Sequence, residues 1–194
     1  QQWQGAYDEA TKQLLRGNYS EALALLEKSE LANPQHALLA YQKAQSFEKL
    51  GQLNKARGAY IDARNLDALR FRADSALNER IKETVQTYSD ERVALFDAER
   101  AFGGTADSTY PIAGYDDFFE HVHLTFEGSY KLANGLLNQL PNVFPELLPI
   151  KENRTPSSQT TATQLGWNSW GKIQQLDGIL PLIDRPPFTY QVGH

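Results

Sequence analysis

Glu120, His121 and His123 stand together in one short stretch, with Asp117 just before them and Thr125 and Gly128 just after. An acidic side chain three positions before a histidine can hold one imidazole nitrogen and leave the other free to take a proton, which is what a general base requires. In that reading Glu120 orients His123, while Thr125 and Gly128 shape the turn into a following helix. A second reading is metal binding: His121 and His123, two apart in an extended segment, project from one face, and Glu120 or Asp117 could add an oxygen ligand. A third is structural, with His121 or His123 satisfying backbone carbonyls of a buried loop. The residues alone leave all three open, and the cluster holds no nucleophile.

The elements around this cluster must position it. From Glu127 to Gln139 the apolar positions Tyr130, Leu132, Ala133, Leu136 and Leu137, with Leu140 beyond, predict a helix that Pro141 stops. Upstream, Asp74 or Ser75 can cap a helix whose apolar positions Leu77, Ile81, Val85 and Tyr88 share one face. Val93, Ala94, Leu95 and Phe96 then read as a short strand leading into a polar loop at Asp97, the order of a βα unit with functional groups at the strand's carboxyl end. One strand makes no sheet, so the expectation is a strand partner outside this sequence, in an N-terminal part or another copy. Glycines at 103, 104 and 114 mark a loop without a phosphate cradle. Residues 149–163, rich in Ser and Thr, are expected as a mobile surface segment. From Asn168 the residues Trp170, Ile173, Leu176, Leu180 and Ile183 mark a last helix that Pro181 would end early, followed by an extended run over 185–191.

The first seventy residues carry a repeat. Gly17 and Gly51 are 34 apart, as are Ala22 and Ala56, and Leu26 and Tyr60. Each glycine suits a turn of positive φ between two helices, and each alanine suits close helix packing. The period resembles the tetratricopeptide repeat, with Pro34 closing the first copy and Trp3 near its opening aromatic position. Two copies are fewer than the three or so that stand alone, so a packing or spacer role is favoured over a peptide-binding groove.

Composition narrows the function classes. The 194 residues carry a net charge of −5 without a basic run, which gives no footprint for nucleic acid or anionic lipid. Cysteine is absent, excluding disulfides and thiolate chemistry. No run approaches the roughly 20 apolar residues that span a bilayer. Methionine is also absent and Gln1 opens directly on an amphipathic segment, as expected of a processed protein, a fragment, or a protein whose modified methionines are missing from the written sequence.

With those residues in hand, a resemblance emerges. His123-Leu-Thr-Phe-Glu-Gly-Ser-Tyr-Lys-Leu-Ala133 resembles the last block of the SGNH (GDSL-type) hydrolases, Asp-x-x-His-Pro-Asn-x-x-Gly-Tyr followed by an alanine-bearing helix. Matched by position, His123 stands for the catalytic histidine, Glu120 for the triad acid, Thr125 for the Asn, Gly128 for the helix glycine and Leu124 for the Pro. Glu for Asp keeps the charge and adds a methylene, and Asp117 is an alternative acid. Asp67-Ala-Leu-Arg-Phe-Arg-Ala-Asp-Ser75, Leu95-Phe-Asp-Ala-Glu-Arg-Ala-Phe102 and Arg185-Pro-Pro-Phe-Thr189 extend the likeness to a bacterial group whose SGNH domain carries tetratricopeptide-like helices before its final blocks.

The resemblance implies a flavodoxin-like parallel sheet, a nucleophilic serine in an N-terminal block, hydrolysis of an ester without metal or organic cofactor, and export or membrane anchoring through an N-terminal segment. None of the serine-bearing blocks occurs here. Asp74-Ser75 and Asp107-Ser108 are better read as cap and turn. Trp3, Trp167 and Trp170 are expected to pack, Asp97 and Glu99 to stabilise a helix N-terminus, and Arg70 and Arg72 to pair with acids.

The expectation is thus a mostly α chain: two tetratricopeptide-like hairpins over residues 1–68, then over 69–194 the helix-rich C-terminal portion of an α/β SGNH domain whose remaining sheet lies elsewhere. It would supply the acid and histidine of an ester hydrolase, its partner being the N-terminal part of the same protein. The alternative is a non-enzymatic interaction module binding a protein or peptide at the repeats.

Overall fold

A computed structural model describes residues 2–88, 92–103, 112–146, 155–186 and 188–190. The protein is mostly helical and divides into two compact units, one of Gln1–Arg80 with Gly103–Ile112 and one of Ile81–Phe102 with Ala113–His194.

The first unit begins with four helices, α1 (Gln2–Leu15), α2 (Tyr19–Glu30), α3 (Ala37–Lys49) and α4 (Leu53–Leu66), each packed on the next. The short α1–α2 and α3–α4 turns contain Gly17 and Gly51, at φ 80° and 73°. A Cβ is strongly disfavoured at that backbone angle, which explains glycine at both positions. Ala22 and Ala56, one period apart, are fully buried where helices approach. Around them lie two apolar clusters, Ala10, Leu26 and Leu39 in one and Ala44, Phe47, Ala56 and Ala59 in the other. Burial of a leucine such as Leu26 or Leu39 contributes about 1.5–3 kcal/mol.

One buried polar group in this unit is fully partnered. Gln42 donates through Nε2 to the Thr11 hydroxyl at 2.9 Å and to the Tyr7 hydroxyl at 3.3 Å. His36 caps α3, its Nδ1 accepting from the Leu39 amide at 3.1 Å, and its ring lies 5.3 Å from those of both Trp3 and Tyr7. The cap bond is local, whereas the ring neighbours Trp3 and Tyr7 come from α1 and no local spacing marks them.

Helix α5 (Ser75–Thr87) follows, capped as expected by Asp74, whose Oδ1 accepts from the Leu77 amide at 2.8 Å. Residues 93–96, expected as a strand, are neither strand nor helix; among the described residues the one β-pairing is an isolated bridge between Phe118 and Leu124. The Val-Leu-Phe composition expresses a preference for a pleated, half-buried surface, which only a neighbouring strand can satisfy. Phe96 packs instead on a later helix, α7 (Phe126–Leu137), after the short helix α6 (Ala98–Gly103).

Helix α7 (Phe126–Leu137) takes up most of the expected 127–139 span and is followed by one turn, α8 (Leu140–Val143), which Pro141 begins rather than blocks. The Phe96 ring lies where a Cβ on Gly135 of α7 would be, so this glycine is required by close approach. Within the stretch expected to be a mobile surface segment, α9 (Ser158–Gln164) forms, capped by the Ser157 hydroxyl. Its start is tied to α7 by Tyr130, which donates to the Pro156 carbonyl at 2.7 Å, and by Ser158, which donates to Glu127 at 2.7 Å. Helix α10 (Ser169–Ile183) begins where the pattern from Asn168 placed it, with the Asn168 side chain as its cap, but continues through Pro181, which sits in its last turn. The run expected as extended contains a 3₁₀ turn at Phe188–Tyr190. No helix among the described residues is long and apolar enough to cross a membrane.

Candidate functional site

Residues 114–125 form a small closed loop that leads into α7. Its base is joined by the Thr125 amide donating to the Asp117 carbonyl at 2.9 Å, and its tip by the Phe119 amide donating to the His123 carbonyl at 2.8 Å. Thr125 then starts the helix: its hydroxyl accepts from the Gly128 amide at 3.1 Å and donates to the Asp116 carbonyl at 2.7 Å. Gly128 is buried, and a Cβ there would meet the Asp117 carbonyl oxygen at 2.1 Å. Loop and helix can therefore lie this close only with glycine at 128.

At the tip, the Glu120 carboxylate turns back on its own loop. It accepts from the His123 amide at 2.8 Å and the Val122 amide at 3.1 Å, and one oxygen rests on Nδ1 of His123. A carboxylate only accepts, so it fixes the imidazole proton on Nδ1 and leaves the lone pair on Nε2. The Glu120 side chain is 8% exposed and that of His123 52%, which places a shielded carboxylate behind an exposed imidazole. Burial alone would raise the Glu120 pKa, but the His123 amide, the His123 ring and the Val122 amide outweigh it and hold the group below the ordinary glutamate value.

The other expected site residues have different partners. Asp117 is buried, and its carboxylate pairs with Lys131 of α7 at 2.7 Å rather than with a histidine. His121 lies with Nδ1 3.6 Å from the second Glu120 oxygen and its ring 5.2 Å from that of Phe188. Among the described residues, no group of three His, Asp or Glu side chains is placed to hold a metal ion. Sequence reasoning missed Lys131 and Gln175; the latter donates from α10 to the Leu124 carbonyl at 3.3 Å, one residue past His123. Neither is close in sequence to its partner, so no local spacing could have marked them.

The remaining candidates are structural. Asp97 caps α6 by accepting from the Arg100 amide at 3.0 Å and pairs with Lys82 at 3.3 Å. Burial would raise its pKa; the Arg100 amide and Lys82 prevail and lower it. Arg70 pairs with Asp74 at 2.5 Å beside an open depression of about 400 Å³ that Phe71 and Arg72 also line. Ser75 accepts from Arg64 at 2.8 Å within the α5 start, while Asp107-Ser108 lies outside the described residues. Trp167 stacks on Phe126 and Trp3 tilts against Tyr7, whereas Trp170 is 67% exposed.

Comparison with protein-family models, with curated proteins and with solved structures finds no match to this chain.

Proposed function

We propose that this chain carries the acid and histidine of a serine ester hydrolase of SGNH type, with the serine supplied by sequence beyond these residues. The observation that supports the reading is the contact of the Glu120 carboxylate with Nδ1 of His123, on a side chain that is 52% exposed, which leaves the Nε2 lone pair uncommitted to Glu120. In such a site a serine hydroxyl attacks the ester carbonyl while Nε2 of His123 takes its proton. Glu120 then stabilises the imidazolium, and the same proton passes to the departing alkoxide. The reading uses neither metal nor organic cofactor. The sheet of the proposed α/β domain would come from an N-terminal part; export or anchoring would also reside there.

The test is hydrolysis of a short-chain aryl ester by the full-length product of the gene and by its His123→Ala variant, matched for folding by circular dichroism. Loss of about 10²–10⁴-fold in turnover is expected on removing a general base. Equal turnover in both would discard the role of His123, and a folded protein inactive on every acyl ester would discard the hydrolase.

A second reading rests on the first unit, whose four helices repeat with a glycine turn at a fixed interval. As tetratricopeptide-like hairpins they would bind a protein or peptide, and the histidine loop would be a relic. Binding of a partner that is unaffected by His123→Ala, with no hydrolysis, would favour it.

A further inference from the structure

We infer that Asp117 and Lys131 form a clamp that holds the Glu120–His123 turn against α7, making Asp117 a positioning residue; this rests on the reading of His123 as the base. Asp117 is 7% exposed and commits its Oδ2 to the Lys131 ammonium at 2.7 Å. Its backbone is bonded within the same loop: its carbonyl accepts from the Thr125 amide at 2.9 Å and its amide donates to the Gly114 carbonyl at 3.0 Å. One residue therefore fixes both the loop base and its distance from the helix.

Lys131 is held in turn. Its ammonium lies 5.2 Å from the centroid of the Phe102 ring, and that ring sits 5.3 Å from Phe118, the neighbour of Asp117. The chain from Phe102 through Lys131 and Asp117 to Phe118 closes on itself around the loop base. A buried carboxylate is poorly tolerated when a cationic partner is removed. Glu120 has its own donors at the tip, so the two acids do separate work: Asp117 sets where the turn sits and Glu120 sets which imidazole nitrogen holds the proton.

The experiment is a ¹⁵N–¹H spectrum of the His123 ring in the 194-residue chain, which needs no turnover. The Nδ1 proton, shielded by Glu120, is expected to exchange with water about tenfold faster in both Asp117→Asn and Lys131→Met, the size of coupling seen between neighbours in one network. The charge-exchanged double variant, Asp117→Lys with Lys131→Asp, is expected to recover part of the slow exchange, which a merely structural loss would not. If Asp117→Asn unfolds, Lys131→Met, whose stem still covers Phe102, carries the test alone. Unchanged exchange in a folded Lys131→Met would overturn the clamp. If His123→Ala abolishes ester hydrolysis while Lys131→Met leaves exchange unchanged, only the clamp falls; a responsive ring with no hydrolysis removes only the hydrolase.

Discussion

Glu120 satisfies two backbone amides of its own loop and one ring nitrogen at once, so its charge state and the loop's shape are linked. Because its folded pKa is depressed, its contribution to stability is complete above the ordinary glutamate value and is lost as pH falls through the folded one. Chemical denaturation of the wild type and of Glu120→Gln across acid pH is expected to show a stability gap that is widest near neutrality and closes with acidification. A gap independent of pH would mean that the carboxylate charge contributes nothing to the loop. The acid-to-histidine contact itself was legible from the three-residue spacing. The Asp117 partner was not, because Lys131 reaches it only through the fold.

Helix α7 shows how one element can serve several neighbours. Thr125 caps it, Gly128 admits the loop, Lys131 reaches Asp117, and Gly135 admits the Phe96 ring. Gly128→Ala would drive a methyl group into the Asp117 carbonyl, and backbone cannot swing aside as a flexible side chain can. We expect a cost of about 1–3 kcal/mol, as for overpacking generally, read as a lower denaturation midpoint with the helices of the first unit unaffected. A stability equal to or above the wild type, as a plain helix-propensity gain would give, would show that the loop and helix are not in close contact.

The buried apolar residues are unevenly shared between the two units. Ala10, Ala22, Leu26, Leu39, Ala40, Ala44, Phe47, Ala56, Ala59 and Ala63 lie in α1–α4, whereas Ala162 and Ile179 are the counterparts elsewhere among the described residues. On α5, Leu77 and Ile81 remain 52% and 44% exposed although they lie on the face the sequence marked as apolar. Local opening is easiest where few apolar contacts must be broken. Native-state hydrogen exchange is therefore expected to find the slowest amides in α2, α3 and α4, with α5 and α10 opening at lower free energy. Equal protection across both units would refute this.

What the residues alone could specify is what depends on neighbours along the chain: the glycine turns at 17 and 51, the caps at Asp74, Thr125 and Asn168, and the reach of Glu120 to His123. Each follows from a local backbone angle or a separation of a few residues. Tertiary structure decided the rest. It turned the Ser/Thr-rich stretch after Pro156 into a helix through contacts with Tyr130 and Glu127, left residues 93–96 without a ladder, and assigned Asp117 to Lys131 instead of a histidine. Those outcomes turn on partners distant in sequence, and a strand, a buried carboxylate or a weak helix takes its form from the partner it meets.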